Sequence, residues 1–345
     1  MVSFRLRLSL RLCEMGFQVT DDLADPNLDA LLVIGGTRHL AELWRLRRRG
    51  VRIVQRLNGM NWLHRVKGSD SRFNIKHYLR AEYGNRLLAI IRSRLAQHIV
   101  YQSEFSRSWW ERVYGPTRVP CSVVYNGVDL RIYHPGGAHL RPQEAIRILL
   151  VEGSLMGGYE QGLEAAARMA GGVAARLNRP VELQVVGRVS DSVHQAWDRR
   201  IAGQGASSLK LSWAGLQPAE QIPAIDRSAH LLYSSDINAA CPNSVVEALA
   251  CGLPVAALDT GALAEMVSGD AGRVVPYGGD PWRLDPPNID GLVEAACEIA
   301  LQQERFRAGA RQRAEAAFSV DQMTAGYLRA LLPDHPASSG SGRNW

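Results

Sequence analysis

Lysine is nearly absent from the 345-residue chain: of its 40 Lys+Arg, only Lys67, Lys76 and Lys210 are lysines. Cysteine is scarce too. Cys13, Cys121, Cys241, Cys251 and Cys297 are odd in number, widely spaced and free of any Cys-x-x-Cys pair. That excludes a disulfide framework or a cysteine zinc site and suits a reducing compartment. No apolar run approaches the roughly 20 residues that cross a bilayer. Stretches such as 30–36 and 146–151 are strand-sized. Residues 4–12 alternate Phe or Leu with Arg or Ser, so no continuous apolar segment follows the first charges as in a secretory leader. The expectation is a cytoplasmic protein. Aromatic residues make up 7% and do not interleave with arginine in a base-stacking pattern, so no nucleic-acid partner is expected. Walker loop, catalytic triad, zinc signature and Asp-x-Asp pair are all missing, and with the last goes the reason to expect a metal.

What is present is uneven charge. Residues 1–120 hold 21 Arg+Lys against 10 Asp+Glu, while the remainder holds 19 against 24. Such asymmetry can mark a surface for anionic lipid or saccharide. It can also follow from an arginine-rich composition alone.

Hydrophobic periodicity divides the chain in two, as its length favours. In the first part, strands are predicted at 17–20, 30–34, 51–57, 98–102 and 121–125, with helices at 37–49, 75–94 and 103–114. Phe4, Leu6, Leu8, Leu10 and Leu12 have a strand-like period of 2, yet Gly16 stands where a helix C-cap would lie. Pro135, Gly136, Gly137 and Pro142 mark a linker. The alternation then restarts. Strands are predicted at 146–151, 181–186, 209–213, 229–233 and 254–258, and helices at 163–177, 219–227, 244–251, 261–267, 289–317 and 320–332. Strand–helix alternation at this spacing means parallel βαβ units, hence an α/β fold of two Rossmann-like doubly wound domains. The predicted boundaries are 1–135, a linker at 136–145, 146–318, a final helix at 319–333 and a disordered tail at 334–345.

Ligands in such sheets bind at the carboxyl ends of the strands. The richest segment is 233–267, where a strand yields to a loop and Asn243 and Ser244 stand at a helix start with Glu247 one turn in. Free N–H groups at a helix start suit a phosphate, and Glu247 could accept ribose hydroxyls. The same three residues also fit an ordinary helix cap with a first-turn acid.

The segment resembles the nucleotide-sugar-binding region of family-4 retaining glycosyltransferases, which have the GT-B fold. There the run Glu-Ala-Leu-Ala-Cys-Gly-Leu-Pro-Val, here 247–255, follows the donor loop. Asn126-Gly127-Val128-Asp129 with Tyr133 and Pro135, the strands 148–154 and 183–187, and Phe318-Ser319-Val320 before the last helix resemble further family segments in the same order. The resemblance implies two domains facing a central cleft, with the last helix returning to the first. It implies a nucleotide sugar held by Gly153, Ser154, Gly187, Arg188, Asn243, Ser244 and Glu247, no cofactor or metal, and a saccharide or lipid-linked acceptor on the first domain. A basic first domain would then suit peripheral contact with an anionic membrane, at its inner face.

Three departures qualify this. Ala239 occupies the place of the first of two family glutamates, for which Asn238 or backbone amides could substitute. The Arg and Lys that hold the diphosphate are missing around Gly153–Glu160; Arg188 and the amides of Gly153, Ser154, Gly157 and Gly158 are the candidate replacements, arginine because it grips phosphate in two-pronged fashion. The family's first strand and glycine loop would precede residue 1, so either the start is misplaced or the first sheet lacks a strand. Asn58, after the third predicted strand, lies nearest the place of a family histidine; with Arg188 it completes the expected catalytic set. Two outcomes are open: a retaining, metal-independent transferase, or a degenerate relative that binds a nucleotide sugar or glycan without turnover.

Overall fold

The computed structural model describes residues 2–66, 75–155, 160–202 and 208–336. Gly157, Gly158 and residues 337–345 of the expected tail lie outside the described residues. The chain forms two compact units, one of 1–127 with 317–345, the other of 128–316.

The first unit opens with α1 (Val2–Glu14), a helix despite its alternating sequence. Phe4, Leu8 and Leu12 are buried while Leu6 and Leu10 stay exposed, so every second apolar position falls on one helix face at i, i+4 spacing. Gly16 adopts φ +89° and the Phe17 N–H bonds the Leu12 carbonyl at 3.0 Å, closing the helix. That closure uses the backbone at the strand predicted over 17–20, which does not form. The unit continues with β1 (Ala30–Ile34), α2 (Leu40–Arg48), β2 (Arg52–Leu57) and α3 (Ile75–Ile90), which ends in a π-turn over Ile91–Leu95. β3 (His98–Tyr101), α4 (Glu104–Tyr114) and β4 (Cys121–Val123) complete it. The four strands are parallel in the order β1-β2-β3-β4.

The second unit contains β5 (Ile146–Ser154), α5 (Glu160–Leu177), β6 (Val181–Arg188), α6 (Asp191–Ala202), β7 (Leu209–Gly215), α7 (Ile222–Arg227) and β8 (Leu231–Ser234). It goes on with α8 (Asn243–Ala250), β9 (Val255–Leu258), α9 (Leu263–Met266), β10 (Gly272–Val275), α10 (Ile289–Leu301) and α11 (Gln303–Ala317). The single helix predicted over 289–317 is thus two, broken at Gln302, whose φ −118° and ψ 43° are not helical. Helix α6 and strand β10 escaped sequence reading: the first is mostly polar, the second only four residues with an arginine among them.

The last helix, α12 (Val320–Leu331), belongs to the first unit. Met323, Tyr327, Leu328 and Leu331 share a core with Phe4, Leu8 and Leu12 of α1 and with Val54 and Val100 of the sheet. Gly127 sits where any Cβ would collide with the Ser319 carbonyl, and its N–H points at the Met323 sulfur, 3.1 Å away. The Asn-Gly-Val-Asp motif therefore contains the glycine that lets the returning chain pass. The division between units falls after Gly127 rather than near 135, because residues 130–134 are tied to the second unit. Arg311 donates to the Tyr133 carbonyl at 2.9 Å, and Arg227 to the His134 carbonyl at 3.2 Å. Residues 334–336, placed in the tail by sequence, are ordered, with the His335 ring 5.1 Å from that of Phe17.

Candidate functional site

The second sheet is parallel, in the order β10-β9-β8-β5-β6-β7. The chain leaves β5 toward β6 and β7, then returns to β8 on the other side. Strand order therefore reverses between β5 and β8, the arrangement that opens a crevice beyond the strand carboxyl ends. Ile148, Leu149 and Leu150 are fully buried, and the apolar run of β5 then breaks into Glu152-Gly153-Ser154. Pairing with β6 slips between Val151 and Ser154, a bulge that re-aims the strand end. Gly187 takes φ +140°, and a Cβ there would run into the Glu152 carbonyl, so close backbone approach demands glycine. Ser154 pairs with Arg188 across the ladder, the Arg188 carbonyl accepts the Leu155 N–H at 2.9 Å, and the Arg188 side chain is exposed.

Two carboxylic acids flank the point of reversal, and sequence reading named neither. The Ser235 hydroxyl, just past β8, donates to Glu152 Oε1 at 2.8 Å, joining the two strand ends. Asp236 is next. Burial pushes the Glu152 carboxyl well above the usual carboxylate range, and the neighbouring Asp236 charge adds to that; Asp236 is raised by burial as well. Two half-buried acids whose charges repel favour the neutral form at one of them. Gly162 of α5 presses on Ser235, whose Cβ would lie 2.6 Å from a Cβ at 162, so the helix start fixes the serine. The signal was available: an acid ending the apolar stretch 148–151, and Ser-Asp directly after another strand.

Helix α8 lies beyond β8. Val245, Val246, Ala248, Leu249 and Ala250 are buried, and Asn243, Ser244 and Glu247 form its half-buried polar stripe. Pro242, not Asn243, occupies the N-cap position, so Asn243 starts the helix itself. Behind the helix, Asp226 of α7 is buried; burial first, then the Glu247 charge, keeps its carboxyl well above the usual range. Asn238 stands in the left-handed region at φ +57°. Its N–H donates to Thr260 Oγ1 at 3.0 Å, and that hydroxyl donates to Asn238 Oδ1 at 2.9 Å. Asn238 Nδ2 is buried and has no hydrogen-bond partner among the described residues. Ala239, next in line, offers only backbone: its carbonyl accepts the Ala262 N–H at 2.9 Å.

Asn58 lies in the first unit, at the carboxyl end of β2, half-buried. Its carbonyl accepts Trp110 Nε1 at 2.7 Å and Ser106 Oγ at 3.2 Å, and Gly59 is required because a Cβ there would meet the Trp109 ring at 2.7 Å. The turn is thus held by α4, itself capped by Ser103, whose hydroxyl accepts the Ser106 N–H at 3.1 Å. His64 is engaged elsewhere, 2.8 Å from Glu82, whose carboxyl Arg65 pulls down to about 2. The structure therefore brings Gly153, Ser154, Gly187 and Arg188 together on adjoining strand ends, sets Asn243, Ser244 and Glu247 on one helix, and keeps Asn58 in the other unit. Among the described residues no group of three or more His, Cys, Asp or Glu side chains is arranged to hold a metal ion.

A family model described as glycosyl transferases group 1 matches residues 146–300. No curated protein matches the chain. Among solved structures, a glycosyltransferase from Rickettsia africae superposes with a TM-score of 0.63 at 14% identity, covering 94% of this chain and 88% of that one. Sucrose-phosphate synthase from Thermosynechococcus elongatus gives 0.60 at 16% identity, over 92% and 74%. HepE of Anabaena, solved in complex with UDP and glucose, gives 0.61 at 15% identity, over 87% and 77%. At these identities the likeness is one of fold. The chain thus has the GT-B fold of these proteins, built from two parallel-sheet units, and its residues 146–300 are similar to the glycosyl transferases group 1 family.

Proposed function

We propose that this chain is a glycosyltransferase that moves a sugar from a nucleotide-sugar donor to a saccharide or lipid-linked acceptor, with retention of configuration and without a metal. One observation carries the reading: within the matched domain, the otherwise buried α8 presents a polar stripe of Asn243, Ser244 and Glu247 just beyond a strand end. Helix N-terminal amides suit the donor diphosphate, and Glu247 suits the ribose hydroxyls. The Asn238 carboxamide offers an uncommitted N–H next to Ala239, where the family resemblance implies a sugar-contacting glutamate. Arg188, exposed beside Ser154, is the side chain to meet charge growing on the leaving diphosphate. Losing one preorganised donor from such a site typically costs about 3–4 kcal/mol. Asn58 is assigned to the acceptor side. The bound UDP of HepE supports a nucleotide donor by analogy of fold. A station in the cytoplasm, at the inner membrane face, is part of the same proposal.

A second reading has its own observation. Where the resemblance implies cations, the crevice holds the acids Glu152 and Asp236, which suits a degenerate binder of nucleotide sugar or glycan. A thermal-shift screen over UDP-, GDP-, ADP- and dTDP-sugars, followed by donor hydrolysis, separates the two. The transferase reading expects one donor class to raise the midpoint, a rise lost in Glu247→Ala, together with slow release of free sugar. Binding without release favours the degenerate reading. No stabilisation by any nucleotide sugar sinks both.

A further inference from the structure

We propose that the outer face of α2 and α3 docks the protein on an anionic lipid bilayer. The proposal rests on the membrane-face station proposed above and gives it a surface, but it concerns the first unit alone, so vesicle binding and nucleotide-sugar binding can fail separately. On α3, Ile75, Leu79, Tyr83 and Ile90 are 60, 60, 52 and 42% exposed. Helical geometry places all four within one narrow stripe. The other side of α3 is spent on the fold, with Asn85 and Ile91 buried and Leu88 packed against Gly36. On α2, Leu43 and Leu46 face the core while Trp44 is 49% exposed. The two helices are tied where Arg47 donates to the Arg94 carbonyl at 2.6 Å. A soluble surface has little reason to show so many large apolar side chains along one helix.

The charge around this stripe selects the occupant. Residues 38–49 and 75–95 hold nine exposed basic side chains, Arg92 being buried, against Glu42 and Glu82. Glu82 is already matched by Arg65 and His64. Among the described residues, Arg45, Arg48, Arg80 and Arg86 form no ion pair, and each is exposed. Arg48 lies over the Trp44 ring at 4.5 Å, an aromatic–cation pair of the kind that sits at headgroup level. Aliphatic side chains among arginines fit acyl chains beneath phosphate headgroups. Nucleic acid would leave Ile75, Leu79 and Ile90 without a partner. No described helix is long and apolar enough to cross a membrane, so contact is confined to the surface.

Co-sedimentation of the full chain tests the proposal, using phosphatidylcholine vesicles with and without phosphatidylglycerol. Binding is expected only with phosphatidylglycerol and weakens at high salt. Replacing Arg45 and Arg48 together by Ala should lower the partition coefficient roughly 20–30-fold, at about fivefold for each cation near the surface. Replacing Leu79 and Trp44 together by Ser should lower it at least tenfold, judged by the apolar area withdrawn. Leu140→Ser, exposed in the second unit, serves as the control and leaves it unchanged. Far-UV circular dichroism and melting confirm that each variant is folded. Absence of binding, equal binding to neutral vesicles, or binding indifferent to both double variants overturns the proposal. So does salt-sensitive capture of single-stranded RNA in place of vesicles, or a concentration-dependent dimer abolished by the Leu79 and Trp44 replacements.

Discussion

The two units are built on the same plan, parallel strands joined by helices, yet they place their charge in opposite ways. The second puts carboxylic acids at the tips of its strands, where Glu152 and Asp236 flank the reversal of strand order. The first puts arginines on its helices and leaves the tip of β2 to a neutral Asn-Gly turn. Strand tips are narrow and partly buried, so charge there is costly and couples to protonation. Helix flanks are open and wet, so many cations can gather with little penalty. A shared architecture therefore fixes where chemistry can sit without fixing its sign.

The comparison can be broken most forcefully from the first unit. Phe4→Ala empties a site between α1 and α12, where Phe4 meets Tyr327 at 5.1 Å and carries the buried Arg56 over its ring at 3.8 Å. A loss of about 3–5 kcal/mol is expected, and hydrogen exchange should rise in 1–127 and 317–331 while 146–300 stays protected. In the second unit, Gly187→Ala forces a Cβ against the Glu152 carbonyl at a left-handed φ. Its cost, roughly 2–4 kcal/mol from strain and overpacking, should fall on the β5–β6 pairing instead. Uniform exchange in either variant would show that the units are not separate in stability.

Protonation sharpens the contrast. The Glu152 carboxyl, pushed up to about 8, binds its proton more tightly folded than unfolded. Its contribution is therefore complete below the ordinary carboxylate pKa of about 4.3 and is lost as pH rises through the folded value. Glu152→Gln should raise the stability above pH 8 relative to wild type, by an amount on the order of 1–2 kcal/mol, seen as a higher melting temperature there, and flatten the decline. A melting curve with unchanged pH dependence would remove the account of a neutral, buried Glu152. The smallest effect belongs to Ser103→Ala, which strips the cap from α4: about 1 kcal/mol, read by denaturant midpoint, with loosening of the Asn58 turn seen in local exchange.

The central strands were legible because their burial is nearly complete: segments such as 231–234 and 255–258 have nowhere to go but the middle of a parallel sheet. Glycine punctuation served well at Gly252 and Gly187, both in left-handed backbone. The failures share a cause. In α1 a period of 2 contains a period of 4, so only the tertiary partner decides, and α12 arrives more than 300 residues later. The helix break at Gln302 and the four-residue β10 carry no local signal strong enough to register. The segment 233–267 was picked out with Asn243, Ser244 and Glu247, whereas Glu152, Ser235 and Asp236 were missed. Acids at strand tips look like ordinary polar punctuation until strand order is known, and order is not written in any single segment.

The return of α12 to the first unit has a consequence for biosynthesis. A ribosome delivers 1–127 long before 320–331, so the nascent first unit must wait with Phe4, Leu8, Val54 and Val100 uncovered. The middle unit, contiguous in the chain, can fold in that interval. Release of the last dozen helical residues, and not of the first hundred, is then the event that finishes the amino-terminal half and retires its stickiest surface from the reach of chaperones.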